Sequence, residues 1–454
     1  MSAPVPQSYL EDASGLRGRA EKLFVPETEE EIAAILRDAS QSRTPVSIAG
    51  AGTGVTGGRV PQGGWVISLE RFRRIEVHTG FAITGAGVTL QELDAAARRT
   101  GQFFPPDPTE MSASVGGVIA CNASGSRSFG YGDTRRYLRR LRVVHADGRI
   151  AEYRRGDAID FQVPAISIPR ATKHAAGYRL APGMSWIDLI AGSEGTLAVV
   201  TEAELGLLPA PVSLFSGVVF FASDAEALEA VDAWRSVEKL RMLEYLDQHS
   251  LALLRSRYPE MPPNAQAALL MEQETGEEEA DAWLERLEEH NADAEGSWFA
   301  LSNPDRERFR RFRHALPEAV NEIVRRRGQR KLNSDCAVPV SRSREMLDFY
   351  RQRLEKEFPG QYVIFGHIGD AHLHPNLLVE TEEQAARGQA LMVEFARKAV
   401  ALGGTVGAEH GLGKRKAHLL AIQYSPEEIE AMKAVKRRLD PHWILSPANL
   451  FPSA

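Results

Sequence analysis

Gly50-Ala51-Gly52-Thr53-Gly54-Val55-Thr56-Gly57-Gly58 is the stretch on which the fold of the N-terminal half turns. It follows Pro45-Val46-Ser47-Ile48-Ala49, which reads as a short strand, and it contains a literal GxGxxG at Gly52, Gly54 and Gly57. A βαβ nucleotide-binding crossover would need a helix directly after the glycines, with its N-terminus aimed at a pyrophosphate, and an acidic residue about 20 positions on. The sequence supplies Arg59-Val60-Pro61-Gln62-Gly63-Gly64 instead, and the next strand begins at Trp65. No crossover helix fits. The motif is expected to be a strand–loop–strand nest whose backbone amides cradle an anion without a helix dipole.

Outward from this loop, Thr28 followed by Glu31 predicts a capping box opening an amphipathic helix with Ile32, Ile35 and Leu36 inward. Short strands are expected over 66–69 and 82–84, and a helix over 89–99 with Thr89 and Glu92 as its box. A second glycine-rich stretch covers 105–132, where the bland reading is a pair of tight turns. Residues 141–150 read as a hairpin turning at Asp147-Gly148. Gly192-Ser193-Glu194-Gly195-Thr196-Leu197 leads into a strand over 199–201. Near Pro209-Ala210-Pro211 glycine thins out and strand–helix units follow, over 218–221 with a helix from Asp224, and over 267–271 with a helix from Glu277. A long helix over 382–402 ends at Gly403-Gly404. The expected division is residues 1–210 as a first domain, 211–405 as an α+β cap, and 406–454 as a segment returning to the first domain.

A chain of 454 residues exceeds the size at which one hydrophobic core stops growing, so more than one domain is expected. A formal net charge of −7 argues against a nucleic-acid binder, which would carry a basic surplus. Cys121 and Cys336 form no CxxC or metal-ligand spacing and read as reduced core thiols. No apolar run approaches the roughly 20 residues that span a bilayer, and the N-terminus lacks a secretory pattern. The expected location is the cytoplasm, or the periphery of the inner membrane, and a homodimer is compatible with the sequence.

Near the C-terminus stand Phe365-Gly366-His367-Ile368-Gly369-Asp370-Ala371-His372-Leu373-His374-Pro375-Asn376 and Gly407-Ala408-Glu409-His410-Gly411-Leu412-Gly413-Lys414. Imidazoles and a carboxylate flanked by glycines make a poor core and a good site for a divalent metal with an open position. His367 and His374 would face one point if this stretch is a strand bent at Gly369, or a strand running into a turn, with Glu409 arriving from another segment as third ligand. Asp370 would orient a histidine ring. His372, alternating with the ligands, would point away. The bland alternative is buried histidines bonded to backbone carbonyls.

The order PVxxxGxGTGxTGGxxP, PPDP, GGxxxxNxxG, KxxxGY and GSEGTL resembles the FAD domain of the vanillyl-alcohol-oxidase superfamily. GHxGDxxxHxN and GxEHGxGKxK narrow the resemblance to its FAD-linked D-2-hydroxyacid dehydrogenases, over nearly the whole chain. The resemblance implies an α+β fold: a two-part FAD-binding domain of the PCMH type with a ferredoxin-like cap. It implies that Gly50, Gly52, Thr53, Gly54, Gly57 and Gly58 bind the FAD pyrophosphate. Pro106, Asp107, Thr109, Gly116, Gly117, Asn122 and Gly125 would run along the flavin, with Glu194 counted among the cofactor residues. The first loop has no histidine, so FAD is expected to be non-covalent. The same resemblance assigns a zinc or manganese ion to His367, His374 and Glu409. Two positions depart from the family: His372 stands where its usual residue is Asn, and Lys173-His174 where Lys-Asn is common.

The chemistry expected is oxidation of a D-2-hydroxy acid, D-lactate favoured, to the 2-oxo acid. A Lewis acid lowers the hydroxyl pKa, and a base takes the proton as hydride passes to flavin N5. His410 is the candidate base. The arginine-dense stretch 306–331 reads mostly as the solvated face of a helix with Phe309, Phe312 and Leu316 inward. Similarity to the family points to Arg313 as the fork donor for a substrate carboxylate. Lys331, with Asn333 as an alternative, and Asn376 complete the expected substrate contacts. A quinone, cytochrome or electron-transferring flavoprotein would take the electrons. D-2-hydroxyglutarate and glycolate are alternative substrates. An alkyl-dihydroxyacetone-phosphate synthase-like transferase and a non-catalytic flavin electron-transfer subunit are alternatives of other classes.

Overall fold

The glycine loop joins two parallel strands in the computed structural model, which describes residues 4–274 and 279–452. Val46–Ala49 pairs with Trp65–Ser68, which pairs in turn with Lys22–Phe24, and no helix interrupts residues 50–64. Helix Glu29–Ser42 buries Ile32, Ala33 and Leu36 in a cluster that joins Val46 and Ile67 of this sheet to Val144 and Val199 of the next. Thr28 Oγ1 accepts from the Glu31 N–H at 3.2 Å, but the Glu31 carboxylate returns to the Glu27 N–H, so the expected box is half-formed.

A second, antiparallel sheet runs in the order Ile75–His78, Phe81–Gly85, Val199–Gly206, Leu138–Val144, Ile150–Arg154. Its hairpin turns at Asp147-Gly148, where Gly148 takes a positive φ of 80°. Helix Leu90–Arg98 opens with the full Thr89–Glu92 capping box. The second glycine-rich stretch is more ordered than paired turns. It holds a helix, Val115–Cys121, capped by Ser114, because a Cβ on Gly116 would come within 2.9 Å of Ala86 Cβ and only glycine lets the helix lie that close.

The third sheet has seven strands, all antiparallel neighbours, in the order Ala292–Phe299, Leu214–Phe221, Ala267–Glu274, Leu240–Leu246, Tyr362–His367, His372–Leu377, Leu332–Asn333. Alternation along Leu214–Phe221 sends Val218 and Phe220 to one face, against Phe309, Phe312 and Leu316 of helix Asn303–Arg326. Val219 and Phe221 go to the other face, with Trp234 and Trp283. Both faces are therefore buried, which explains the near-continuous apolar strands. Helix Asp224–Trp234 begins where the sequence placed it; the expected start at Glu277 lies outside the described residues, and the helix is seen over Glu279–Glu289. Helix Glu382–Ala401 ends ahead of Gly403, which takes φ 83°.

After Glu409 the chain crosses to the first sheet. Val46 N–H donates to Ile444 O at 2.7 Å and Ser446 N–H to Val46 O at 2.7 Å. The seam between the glycine-rich half and the seven-stranded sheet is charged and close. Arg127 and Arg241 both donate to Glu272 Oε1, at 2.9 and 2.6 Å, and a Cβ on Gly130 would lie 2.7 Å from Arg241 Cα. Among the described residues no helix is long and apolar enough to cross a membrane.

Candidate active site

The histidines sit on one hairpin. Tyr362–His367 and His372–Leu377 pair with His367 opposite His372 and Phe365 opposite His374. A 3-10 turn, Ile368–Asp370, followed by Ala371 at φ 53°, reverses the chain. Of the two expected geometries, a strand bent at Gly369 and a strand running into a turn, the second is found. Its consequence corrects the reading of His372: residues two apart on a strand share a face, so His372 and His374 lie side by side with ring centroids 4.3 Å apart. His367 reaches both from across the ladder, at 5.3 and 5.5 Å. A Cβ on Gly366 would stand 2.8 Å from His374 Cδ2, so glycine makes room for that ring.

Each ring has one nitrogen tied to an outer acceptor. His367 Nδ1 meets Glu244 Oε1 at 2.5 Å, His372 Nε2 meets Asp335 Oδ1 at 3.2 Å, and His374 Nδ1 meets Ser334 O at 3.0 Å. Toward the inside, Glu409 Oε1 is 3.2 Å from His367 Nε2 and 3.8 Å from His372 Nδ1. One donor atom from each of His367, His372, His374 and Glu409 lies within 4.8 Å of the others. These donor types suit a first-row divalent cation, and His372 Nδ1 is buried without a partner.

Glu409 is also held from the glycine-rich half. Ser124 Oγ, Gly125 N–H and Lys173 Nζ donate to its Oε1 at 2.9, 3.1 and 2.5 Å. Burial alone would raise its pKa, but His367 and Lys173 hold the carboxyl well below the usual range. Asp370 does not orient a histidine. It accepts from Ser128 Oγ at 2.7 Å and stands 3.3 Å from Lys173 Nζ, because the turn carries it away from the rings. Among the described residues, Lys173 and Arg313 are the Lys or Arg side chains directly paired with Glu409, Asp370, Glu244 or Asp335. The remaining negative charge is what a dication would neutralise.

His410 borders the same space. Its ring stacks on His374 at 5.6 Å, its N–H donates to Asp335 Oδ2 at 3.1 Å, and its Nδ1 lies 3.3 Å from Asp335 Oδ1 at an angle that makes no hydrogen bond. Burial pushes the imidazole down to about 4, against the pull of Asp335, so the ring is neutral at pH 7.

A cavity of about 500 Å³ runs from these side chains to the glycine nest. Its lining includes Gly50, Gly52, Thr53, Gly54, Gly58, Thr109, Gly116, Gly117, Gly125 and Glu194 from the glycine-rich half, together with Arg313, Lys331, Asn376, His367, His374, Glu409 and His410. A Cβ on Gly50 would meet Ser114 Oγ at 2.5 Å, so nest and helix approach through bare backbone, a cradle suited to a long, flat, polyanionic cofactor. Gly57, Pro106, Asp107 and Asn122 do not border it. Gly57 O instead accepts from Lys414 Nζ, and Pro106 is buried. Asp107 turns to Ser126 Oγ at 2.7 Å and Arg127 at 3.5 Å. Asn122 is a left-handed helix cap spent on Asp133 and the Arg135 N–H. Glu194 borders the cavity, yet its two oxygens take the Leu412 and Gly413 N–H groups, each at 2.7 Å, and burial raises its pKa to about 7. Cys121 is half-buried at the cavity wall and Cys336 is buried; both are free thiols.

Arg313 is fixed by Glu244 at 2.8 Å and reaches Thr109 Oγ1 at 3.3 Å. Lys331 Nζ has no hydrogen-bond or ion-pair partner among the described residues, and burial with Lys416 nearby pushes it down to about 8. Asn376 Nδ2 donates to His374 O, leaving Oδ1 buried and unpartnered. Glu244 and Asp335 join the site without a motif of their own, and Lys173, part of KxxxGY, takes a role there that the motif does not specify. The only signal for Glu244 was an acid inside an apolar strand, Leu240–Leu246, buried on both faces.

Residues 211–450 match the family described as FAD linked oxidases, C-terminal domain, and residues 20–154 match an FAD binding domain. A D-lactate dehydrogenase of Archaeoglobus fulgidus is 32% identical over 447 residues, covering 95% of this chain and 92% of its own. The glycolate oxidase subunit GlcD of Bacillus subtilis is 31% identical, covering 94% and 88%. A D-2-hydroxyglutarate dehydrogenase of Xanthomonas citri is 29% identical, covering 94% and 89%. Among solved structures, an alkyldihydroxyacetonephosphate synthase superposes with a TM-score of 0.66 at 17% identity, over 94% of this chain and 75% of that one, which is a likeness of fold. With an FAD-binding domain, an FAD-linked oxidase C-terminal domain and relatives of this identity along nearly its full length, the chain belongs to the FAD-linked oxidases and is an FAD-dependent oxidoreductase.

Proposed function

We propose that the protein oxidises a small D-2-hydroxy acid, D-lactate first among them, to the 2-oxo acid, using non-covalent FAD and a zinc or manganese ion. The single observation that supports this best is the convergence of His367, His374 and Glu409 with His410 at one end of the cavity whose other end is the glycine nest. Bound FAD supplies a two-electron acceptor for the Cα hydrogen as hydride at N5, and the bound cation supplies Lewis acidity toward the hydroxyl. Arg313, preset by Glu244, holds the substrate carboxylate as a fork donor, and Lys331 on the cavity wall offers a further cationic contact. Asn376 offers its unpartnered Oδ1 to the hydroxyl. His410 has its Nδ1 edge against Asp335, so it takes the hydroxyl proton at Nε2. A quinone, a cytochrome or an electron-transferring flavoprotein then takes the electrons, either in the cytoplasm or at the inner-membrane surface.

The test is anaerobic mixing of the yellow, metal-replete protein with a panel of D- and L-2-hydroxy acids. D-lactate is expected to bleach the flavin and L-lactate to leave it yellow. Loss of the reading would follow if no hydroxy acid of either hand bleached it. One observation favours a second substrate, D-2-hydroxyglutarate: Lys331 is a cation on the cavity wall, beyond Arg313, with no ion-pair partner among the described residues. Faster bleaching by the dicarboxylate than by D-lactate would select it.

A further inference from the structure

We infer that His372 is a fourth protein ligand of the divalent cation, making the donor set three imidazoles and one carboxylate. This rests on the metal reading above and extends it to a residue that stands where the family resemblance has asparagine.

The three rings are arranged alike. Glu244, Asp335 and the Ser334 carbonyl each take the outer nitrogen of one ring. Such acceptors fix the ring proton on the outer side and leave the inner lone pair for a cation. In His372 the outer partner is the Asp335 carboxylate, with both side chains 0% exposed, and the inner Nδ1 is buried without a partner, 3.8 Å from Glu409 Oε1. What sets His372 apart from the histidines outside the active site is a bare buried nitrogen that faces a carboxylate. Half-buried His174 is satisfied at both nitrogens, by Thr405 Oγ1 and Tyr424 Oη at 2.8 Å each, and buried His145, which also leaves Nδ1 bare, has no carboxylate within 4 Å among the described residues. An imidazole that leaves one buried nitrogen bare beside a carboxylate has lost solvation with no return, unless a cation fills the gap. His372 is also the one member of the four that does not border the cavity. It reaches the cluster from the buried side, so it does not compete with a substrate that enters from the cavity. A donor set this rich in imidazole favours zinc over manganese, magnesium or calcium.

The experiment uses full-length, flavin-loaded protein stripped with a chelator. Zinc affinity is measured by competition with a chromophoric chelator, and cobalt substitution is followed by visible absorption, for wild type, His372→Asn and His372→Ala. Wild type is expected to bind zinc, both variants to bind it more weakly by at least the roughly 10–100-fold that loss of an outer-shell partner costs, and the cobalt d–d bands to shift. Affinity within twofold of wild type with superimposable cobalt spectra overturns the fourth ligand while leaving the metal site standing. A wild type that holds flavin but no zinc overturns both. If the variants fail to fold, zinc X-ray absorption of the wild type decides: outer-shell scattering from three imidazoles supports the inference, and from two rejects it.

Discussion

Lys173 Nζ lies 2.5 Å from Glu409 Oε1, a lysine of the glycine-rich half locked onto the carboxylate that also faces the histidine hairpin. The ammonium is 2% exposed and its other contacts are Asp370 and the Gly125 carbonyl. Lys173→Met leaves two buried carboxylates without their cation. A loss on the order of 3–5 kcal/mol is expected in metal-free protein. Zinc should recover part of it by adding charge next to Glu409. Calorimetric melts with and without zinc check this, and an unchanged melting temperature in the metal-free variant counts against it.

Glu244 binds two expected site residues at once, His367 through Oε1 and Arg313 through Oε2. Arg313 and His367 outweigh burial and hold its carboxyl down at about 2, so it is an anion throughout the working range. Glu244→Gln should weaken zinc binding about 10–100-fold by freeing the His367 ring, and raise KM for the hydroxy acid by freeing Arg313. Equal zinc affinity in variant and wild type would show that the pair is not what orients the ring.

His410→Asn should lower turnover by about 10²–10⁴-fold, the usual worth of a positioned base, with flavin content and zinc affinity unchanged. Steady-state kinetics beside a flavin spectrum separate the two. Near-normal turnover would move the base elsewhere.

Glu272 makes the seam between the two halves depend on pH. Burial pushes its carboxyl up, but Arg127 and Arg241 outweigh that and hold it at about 2 against an ordinary 4.5. A depressed folded-state value contributes stability above the unfolded value, lost as pH falls from about 4.5 toward 2. The contribution at pH 7 is on the order of 3 kcal/mol. Glu272→Gln mimics the protonated acid. Its melting temperature should fall below wild type at pH 7, and the gap should narrow steadily below pH 4.5. A gap independent of pH would assign the loss to packing.

Gly413 sits at φ 51°, and a Cβ there would lie 2.3 Å from the Thr56 carbonyl oxygen. Its N–H is the one Glu194 Oε2 accepts, so Gly413→Ala pries the C-terminal segment off the first glycine loop. A destabilisation of about 1–3 kcal/mol and release of flavin on dilution, read by its fluorescence, are expected. Full flavin retention would show that the nest holds without this clamp.

What the sequence made legible follows from local chemistry. Pro61 and Gly63-Gly64 forbid a helix after the first glycines, and the structure has none there. The convergence of His367, His374 and Glu409 was legible because glycine-flanked imidazoles have little to pack against. Helix Val115–Cys121 was hidden because Gly116-Gly117 erase the apolar stripe, leaving Ser114 as its one cue. His372 was misdirected by counting alternation through a turn instead of along the strand that begins at that residue. The roles of Glu244, Lys173 and Asp335 were out of reach, even with Lys173 visible in KxxxGY, since each comes from a different segment and acquires its role only by tertiary contact.

The boundary between the two halves passes through the donor cluster itself. Three rings belong to the seven-stranded sheet, while Glu409 is bolted to Ser124, Gly125 and Lys173 on the other side, and Glu194 and Lys414 tether the chain just beyond it. Any hinge between the halves would have to tear the rings from the carboxylate. An ion seated among them would act as a rivet, and its removal should loosen the whole molecule along that line.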